Sequence, residues 1–288
     1  MIIAINGRQI EKNCISAVLH LLELLEEKNI KISVAPTLQA SLSKSGYLVE
    51  SFQKLPKNTD YLISLGGDGT FLESVLLVED SEIPVLGINA GRLGFLSNIT
   101  LEEPKKTINY LLEKKYTIEK RSLLKVSGNF LSANAIPYAL NEVGIQKCPP
   151  TMMNIKVCID DENLPDYWAD GLLVATPTGS TAYSMSVGGP IITPEARCLL
   201  LSPIASHNLS TRPLVINDRA VIKVHVNTRH QHFIVSLDNR FYKVSSGTEI
   251  GIEKAAFTVN TIRLPGSSFF STLQEKLLWG SDKRNTLH

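Results

Sequence analysis

The apolar runs of this chain follow two rhythms, and the change from one to the other restricts the fold more than any other feature. Over the first hundred residues, short strand-like runs alternate with helical spacing. "MIIAING" (1–7), "IKISV" (30–34), "DYLISL" (60–65) and "IPVLGI" (83–88) read as strands. Between them Ile10, Cys14, Val18, Leu21, Leu22 and Leu25 recur at helical intervals up to Lys28, and "TFLESVLLVE" (70–79) reads as a helix. Thr37–Phe52 fits neither period. Strand and helix in alternation predict a parallel sheet with helices on its faces, and such sheets bind ligands beyond the carboxyl ends of their strands. After a helix near Glu102–Lys115 the rhythm becomes strands alone. "SLLKVSG", "YALNEVGI", "NIKVCID", "GLLVATP", "RAVIKVHV", "HFIVSLD" and "FTVNTIRL" follow at turn-punctuated intervals.

The expected fold is therefore α/β plus all-β. A Rossmann-like parallel α/β domain (residues 1–100) precedes a β-sandwich-like domain (101–264). The tail "SFFSTLQEKLLWG" returns to helical spacing, with Phe270, Leu273 and Leu277 on one stripe. A lone amphipathic helix needs a partner surface, so 265–288 is expected to return to the first domain. A length of 288 residues suits two cores. Lys and Arg number 29 against 28 Asp and Glu, so no basic footprint for nucleic acid is visible. No apolar run approaches membrane-spanning length, and "MIIAINGRQ" is too short for a signal peptide. Cys14, Cys148, Cys158 and Cys198 form no C-x-x-C pair and read as reduced, mostly buried thiols. A soluble, cytoplasmic protein is expected.

The strand "DYLISL" runs into Gly66-Gly67-Asp68-Gly69-Thr70 and then into a helix. Neither the Walker pattern nor Gly-x-Gly-x-x-Gly is present. Backbone N–H groups of such a loop, with the helix N-terminus, suit phosphate oxygens. Thr70 is placed to cap the helix. One reading of Asp68 is itself a cap in a tight turn. The other follows from the third glycine and the strand–helix context. A carboxylate beside a polyphosphate either holds a divalent cation through water or takes the proton from an attacking hydroxyl.

Residues 170–190, "DGLLVATPTGSTAYSMSVGGP", are dense in hydroxyl groups: Thr176, Thr178, Ser180, Thr181, Tyr183, Ser184 and Ser186. A strand ends at Ala175, Pro177 and Gly179 make a turn, and "STAYSMS" opens a short helix. Such a segment offers donors and acceptors to a polar ligand, and Tyr183 offers a ring to a flat base. A Ser/Thr-rich solvated turn is the alternative. Gly-x-Ser-x-Gly is absent, which disfavours Ser180 as a hydrolase nucleophile. Asn141 and Glu142 are adjacent in a strand-like run, where alternation sends them to opposite faces unless the strand ends or bulges. A capping Asn beside an exposed Glu is the plain alternative. His230 and His232 share a strand face without a third ligand and read as a solvated strand tip.

"GGDGT", "LNE", "DGLLVATPTGSTAYSMSVGGPI" and "SHNLSTRPLV", in that order and spacing, resemble the NAD kinase family. "RLGFL" (92–96) and the ending "SFFSTLQEKLLWG" fit as well. The resemblance covers nearly the whole chain, and the threonine–tyrosine–serine block is its most specific part. It implies phosphorylation of the adenosine-ribose 2′-hydroxyl of NAD to give NADP, with ATP (or polyphosphate) as donor and a divalent cation, Mg2+ by preference. It implies Asp68 as proton acceptor and Gly66–Thr70 beside the donor phosphates and ribose. Asn141 and Glu142 would hold the adenosine end, and Asp170, Thr181, Ala182, Tyr183, Ser184 and Ser186 would line the remaining dinucleotide site. Asp238 carries over as a further site residue. No protein metal site is implied. A homodimer or homotetramer is, with neighbouring subunits contributing to the site.

Three positions depart from the family pattern. Glu73 stands where many relatives carry a basic residue. "LDNRF" replaces a common Asp-Gly-Gln, so Asn239 and Arg240 have no carried-over role. "GIQKCPPTMMNIKV" matches nothing, which leaves Lys147–Lys156 unassigned. Lipid kinases carry similar glycine loops but need an apolar pocket for an acyl chain, and residues 176–186 are hydroxyl-rich. A non-catalytic NADP(H) sensor would tolerate loss of Asp68, which is present.

Overall fold

A computed structural model describes residues 1–10, 14–91, 94–148 and 152–278. The chain divides into two compact units, Met1–Lys120 with Val259–His288, and Arg121–Thr258.

The first unit runs β1 (Ile2–Gly7), α1 (Ile15–Glu27), β2 (Lys31–Val34), α2 (Pro36–Ser43), β3 (Tyr61–Leu65), α3 (Asp68–Val78), β4 (Val85–Asn89), β5 (Ile99–Thr100) and α4 (Pro104–Leu112). Its strands lie in the order β2-β1-β3-β4, all parallel, with β5 beside the far end of β4. The apolar residues of β1 and β3 are almost fully buried because helices cover the sheet. Val18, Leu21, Leu22 and Leu25 of α1 join Ile3, Ile5, Ile63 and Leu86 in one core, as their helical spacing requires. The helix expected from Ile10 is described from Ile15, with Glu11–Asn13 outside the described residues. Pro36 at the first position starts α2, inside the stretch that fitted neither period. The strand order reverses between β1 and β3, and the loops after these two strands open at that switch point.

The second unit follows with β6 (Thr117–Ser127), β7 (Tyr138–Ala139), β8 (Glu142–Lys147), β9 (Met153–Ile159), β10 (Glu162–Asn163), β11 (Tyr167–Ala169) and β12 (Gly171–Ala175). A 3₁₀ turn (Thr178–Thr181) and α5 (Tyr183–Ser186) interrupt the strands. The chain continues with β13 (Cys198–Ile204), β14 (Leu214–Asn217), β15 (Ile222–Asn227), β16 (His232–Leu237), β17 (Arg240–Ser245) and β18 (Glu249–Arg263). Both unit boundaries fall inside strands, β6 and β18. One antiparallel sheet has the order β14-β13-β12-β8-β16-β17. A second is built on β9, β15 and the first half of β18. Alternate residues of each sheet, such as Val143, Ile145, Leu172 and Val174 in one and Ile155, Val157, Ile222 and Val224 in the other, form a single core. That is a sandwich, built from period-2 patterning.

The last helix, α6 (Phe269–Leu277), belongs to the first unit and starts with a capping box in which the Ser268 side chain accepts from the Ser271 N–H. Its expected stripe is only partly covered. Leu273 is 4% exposed, but Phe270 is 63% and Leu277 38% exposed. Phe270 instead packs edge-on against its neighbour Phe269. Trp279 and Gly280 lie outside the described residues.

Candidate active site

The site residues expected from sequence fall into two clusters, one in each unit. In the first, β3 delivers the chain to Gly66, whose φ of +150° favours glycine. Helix α3 then begins with Gly67 as N-cap, and no side chain caps it. Thr70 and Asp68 therefore do not serve as caps. Thr70 is buried in the first turn, against Gly66. The Asp68 carboxylate turns away from its helix and accepts three backbone N–H groups: Phe95 on Oδ2 at 2.9 Å, and Leu96 and Ser97 on Oδ1 at 2.9 and 3.1 Å. Gly94 lies so close that a Cβ there would sit 1.9 Å from Oδ1. This gives a physical role to the glycine of "RLGFL"; Arg92 and Leu93 lie outside the described residues. Gly67 and Gly69 are exposed with open space where a side chain would project, so packing does not demand glycine there. Their bareness leaves the helix N–H groups accessible to an anion.

Two further residues belong to this cluster. Asn6, at the end of β1, donates to Ser74 Oγ at 3.0 Å and ties that strand to α3. Arg8, just beyond β1, grips Glu73 of α3 with two guanidinium nitrogens, Nε at 3.3 Å. The acid at 73 thus brings a basic partner with it, from the loop after β1.

The second cluster forms where the run "YALNEVGI" breaks. Strand β7 ends at Ala139 and β8 starts at Glu142, so Leu140 and Asn141 form a bend, the strand break that was one of the two readings of the adjacent Asn141 and Glu142. Asp238 satisfies the N–H groups of Leu140 (2.8 Å), Asn141 (2.8 Å) and Glu142 (3.2 Å). Thr176, just past β12, takes the carbonyls: its Oγ1 donates to Leu140 O at 2.6 Å and its N–H to Asn141 O at 2.9 Å. Gly179 comes close enough that a Cβ would lie 2.0 Å from Asn141 O. The turn "TPTG" is therefore packed onto the bend, which excludes a loose solvated loop.

The Glu142 carboxyl is the product of this packing. Its Oε2 is buried with no hydrogen-bond partner, while the carboxyl accepts from the Tyr183 N–H. Burial first, and the neighbouring Asp238 charge second, push its pKa up to about 8 against the pull of that N–H. Burial also raises Asp238, opposed by the three N–H groups it accepts and by Arg240. Thr181 and Ala182 are half-buried, and Tyr183 and Ser186 are exposed.

Three expected site residues are placed otherwise. Ser184 is fully buried and shares a 2.9 Å hydrogen bond with Ser202 Oγ. Ser180 Oγ accepts the Ile192 N–H and is likewise buried, which removes it as a nucleophile. Asp238 has both carboxylate oxygens committed to backbone. Asp170 precedes β12 whereas Thr176 follows it, a separation of about 17 Å of strand. It pairs with Lys147 Nζ at 2.6 Å, and within this unit it is not brought to Glu142. His230 and His232 are half-buried, each with one ring nitrogen enclosed and unpartnered, rather than a solvated tip. The four cysteines are free and half-buried. Among the described residues no three His, Cys, Asp or Glu side chains cluster to hold a metal ion, and no helix is long and apolar enough to cross a membrane.

The sequence matches the ATP-NAD kinase N-terminal domain over residues 3–116 and the ATP-NAD kinase C-terminal domain over 140–264. It is 43% identical to the NAD kinase of Flavobacterium psychrophilum, over 99% of this chain and 100% of that one. Against the NAD kinase of Porphyromonas gingivalis it is 45% identical over 80% of each chain. The fold superposes on an NAD kinase from Archaeoglobus fulgidus in complex with ATP, with a TM-score of 0.75 at 25% identity over 96% of this chain and 99% of that one. It superposes on yeast NADH kinase complexed with NADH with a TM-score of 0.86, at 24% identity over 98% of this chain and 89% of the other.

Proposed function

The chain belongs to the NAD kinase family, enzymes that phosphorylate NAD with ATP, and we propose from its own residues how it carries out that transfer. The group attacked is the 2′-hydroxyl of the adenosine ribose, and Asp68 accepts its proton. The observation that carries this reading is the Asp68 carboxylate, held by three N–H groups at the start of α3. Oδ2 accepts only one of them and keeps a lone pair for the hydroxyl. A base fixed in this way needs no reorganisation as the nucleophile arrives, which is where proximity and general-base catalysis gain most.

The donor phosphates take the N–H groups of Gly67, Asp68 and Gly69 at the helix N-terminus, with Arg8, held against Glu73 just beyond β1, offering a cation to the same end. A divalent cation supplies charge neutralisation when ATP is bound. Among the described residues the side chains form no cage of their own for it, so the phosphate oxygens would be its principal ligands, with the cation entering on ATP. Asn141 and Glu142 hold the adenosine end, and the exposed ring of Tyr183 is offered to the base. Thr181, Ala182 and Ser186 line the same surface, whereas Ser184 and Asp238 support it from within. Asp170, set apart by the length of β12, contributes to a dinucleotide held at Glu142 only from a second copy of the chain. A homodimer or homotetramer is the assembly that supplies it. The free, unpaired cysteines suit the cytoplasm.

Incubation with NAD, ATP and magnesium, followed by an NADP-specific cycling assay, tests the activity. Phosphorus NMR of the purified product tests the position: a single 2′-phosphate is expected, and a 3′-phosphate would overturn the assignment of the nucleophile.

A further inference from the structure

We infer that Arg240 is a positioning residue that sets Asn141 and Glu142 for the dinucleotide. The backbone between Ile136 and Glu142 is held mainly by three side chains, those of Arg240, Asp238 and Thr176. The Arg240 guanidinium donates to Ile136 O at 2.6 Å and also to Tyr138 O. The intervening Pro137 carbonyl points the other way and accepts the Val126 N–H at 2.8 Å. Thr176 takes the carbonyls of Leu140 and Asn141, and Asp238 takes the N–H groups of Leu140, Asn141 and Glu142. The Glu142 carbonyl in turn accepts the Asp238 N–H at 3.0 Å.

One short hairpin therefore grips this segment at both ends. Leu237 and Arg240 are paired residues, so Asp238 and Asn239 alone form the turn, with Asp238 at φ +52°. Asp238 projects a carboxylate at the N–H groups of the bend, and Arg240, two residues on, projects a cation at the carbonyls that precede it. Opposite charges match opposite ends of the peptide dipoles. The planar fork of a guanidinium is pre-organised to reach two carbonyls at once, at less entropic cost than the flexible point charge of Lys, and Gln lacks the charge. The Arg240 Nε stays buried and unpaired, a cost that a residue serving solvation alone would not carry. Holding Ile136 and Tyr138 fixes where the chain enters the bend. That in turn fixes the direction of the Glu142 carboxyl, whose Oε2 is left enclosed and unsatisfied for a partner from outside the chain.

This rests on the reading of Asn141 and Glu142 as dinucleotide contacts. The test is steady-state kinetics of Arg240→Gln, Arg240→Lys, Glu142→Gln and the double variant Glu142→Gln/Arg240→Gln. For Arg240→Gln the KM for NAD is expected to rise about tenfold, with Arg240→Lys recovering part of it and the KM for ATP staying within about twofold. In the Glu142→Gln background the same Arg240→Gln change should cost much less, because the group it positions is already disabled. Additive effects in this cycle, or a fall in kcat that tracks the folded fraction with both KM values unchanged, would overturn the inference. Insolubility of both Arg240 variants would overturn it too, since the arginine would then be a residue of the fold alone. If Glu142→Gln leaves the NAD KM of an active enzyme untouched, the reading of the site fails. If only Arg240→Gln does so, the site stands and the clamp falls.

Discussion

Asp68 and Gly94 meet so closely that any side chain at 94 would displace the carboxylate: an added Cβ would lie 1.9 Å from Oδ1 and 2.6 Å from Cγ. The loop from Gly94 to Ser97 closes on itself, with the Gly94 N–H donating to Ser97 O at 3.0 Å, so the loop is not free to retreat. Gly94→Ala is therefore expected to swing Asp68 off its three N–H donors. Turnover should fall by about two orders of magnitude, the lower range for losing a general base. Circular dichroism should show the fold retained, because the strands and helices on either side are untouched. Wild-type kcat in Gly94→Ala would show that the orientation of Asp68 is immaterial.

Asp68→Asn addresses the proton rather than the geometry. An amide presents one oxygen and one NH2, so it keeps part of the N–H array and loses the capacity to accept the hydroxyl proton. A loss of two to four orders of magnitude in kcat is expected on the scale of general-base removal, about 3–5 kcal/mol of barrier. NAD affinity, read by calorimetry, should change far less. Equal turnover of the Asn variant at matched pH and metal would remove Asp68 from the chemistry.

Much of this was legible in the sequence because period and local spacing are local facts. The 3.6 and 2.0 repeats named the α/β unit and the sandwich, whereas the adjacency of Asn141 and Glu142 left a strand end or bulge as one of two readings, and the structure places a break between Ala139 and Glu142. The latch on Asp68 was not legible, since its donors come 27 to 29 residues later and are backbone groups carrying no sequence signal. Arg240 lies 104 and 102 positions from the carbonyls it holds. Spacing also tells which residues share a helix face but not whether that face is covered. That is why Ser184, read as facing a ligand, turns inward, and why Phe270, read as buried, stays in solvent.

The last helix offers a clean contrast on this point. Leu273→Ala removes a side chain that is 4% exposed, and should cost about 2–5 kcal/mol, the range for truncating a buried leucine. Phe270→Ala removes one that is 63% exposed, and should stay within about 0.5 kcal/mol of the wild type, as surface changes do. Chemical denaturation of both variants decides it. Equal destabilisation would mean that Phe270 is covered in solution.

Glu142 makes the stability of the ligand-free protein depend on pH in an unusual direction. Its folded pKa of about 8 lies above the ordinary 4.5, with burial as the larger cause and Asp238 as the second. A carboxyl raised in this way binds a proton more tightly when folded. Its contribution is fully present below the unfolded value and is lost as pH rises through the folded one. Unfolding free energy should thus decline between about pH 5 and pH 8 and then level off, a trend to which the raised Asp238 adds in the same sense. Glu142→Gln, neutral throughout, should flatten most of that decline. Dinucleotide binding should run the opposite way. A ribose hydroxyl donates best to an ionised acceptor, so the KM for NAD should fall as pH rises from 6.5 to about 8.5 in the wild type. In Glu142→Gln it should be higher and nearly independent of pH. Denaturation curves and NAD saturation curves at four pH values test both halves, and an unchanged pH profile in Glu142→Gln would remove Glu142 as the titrating group.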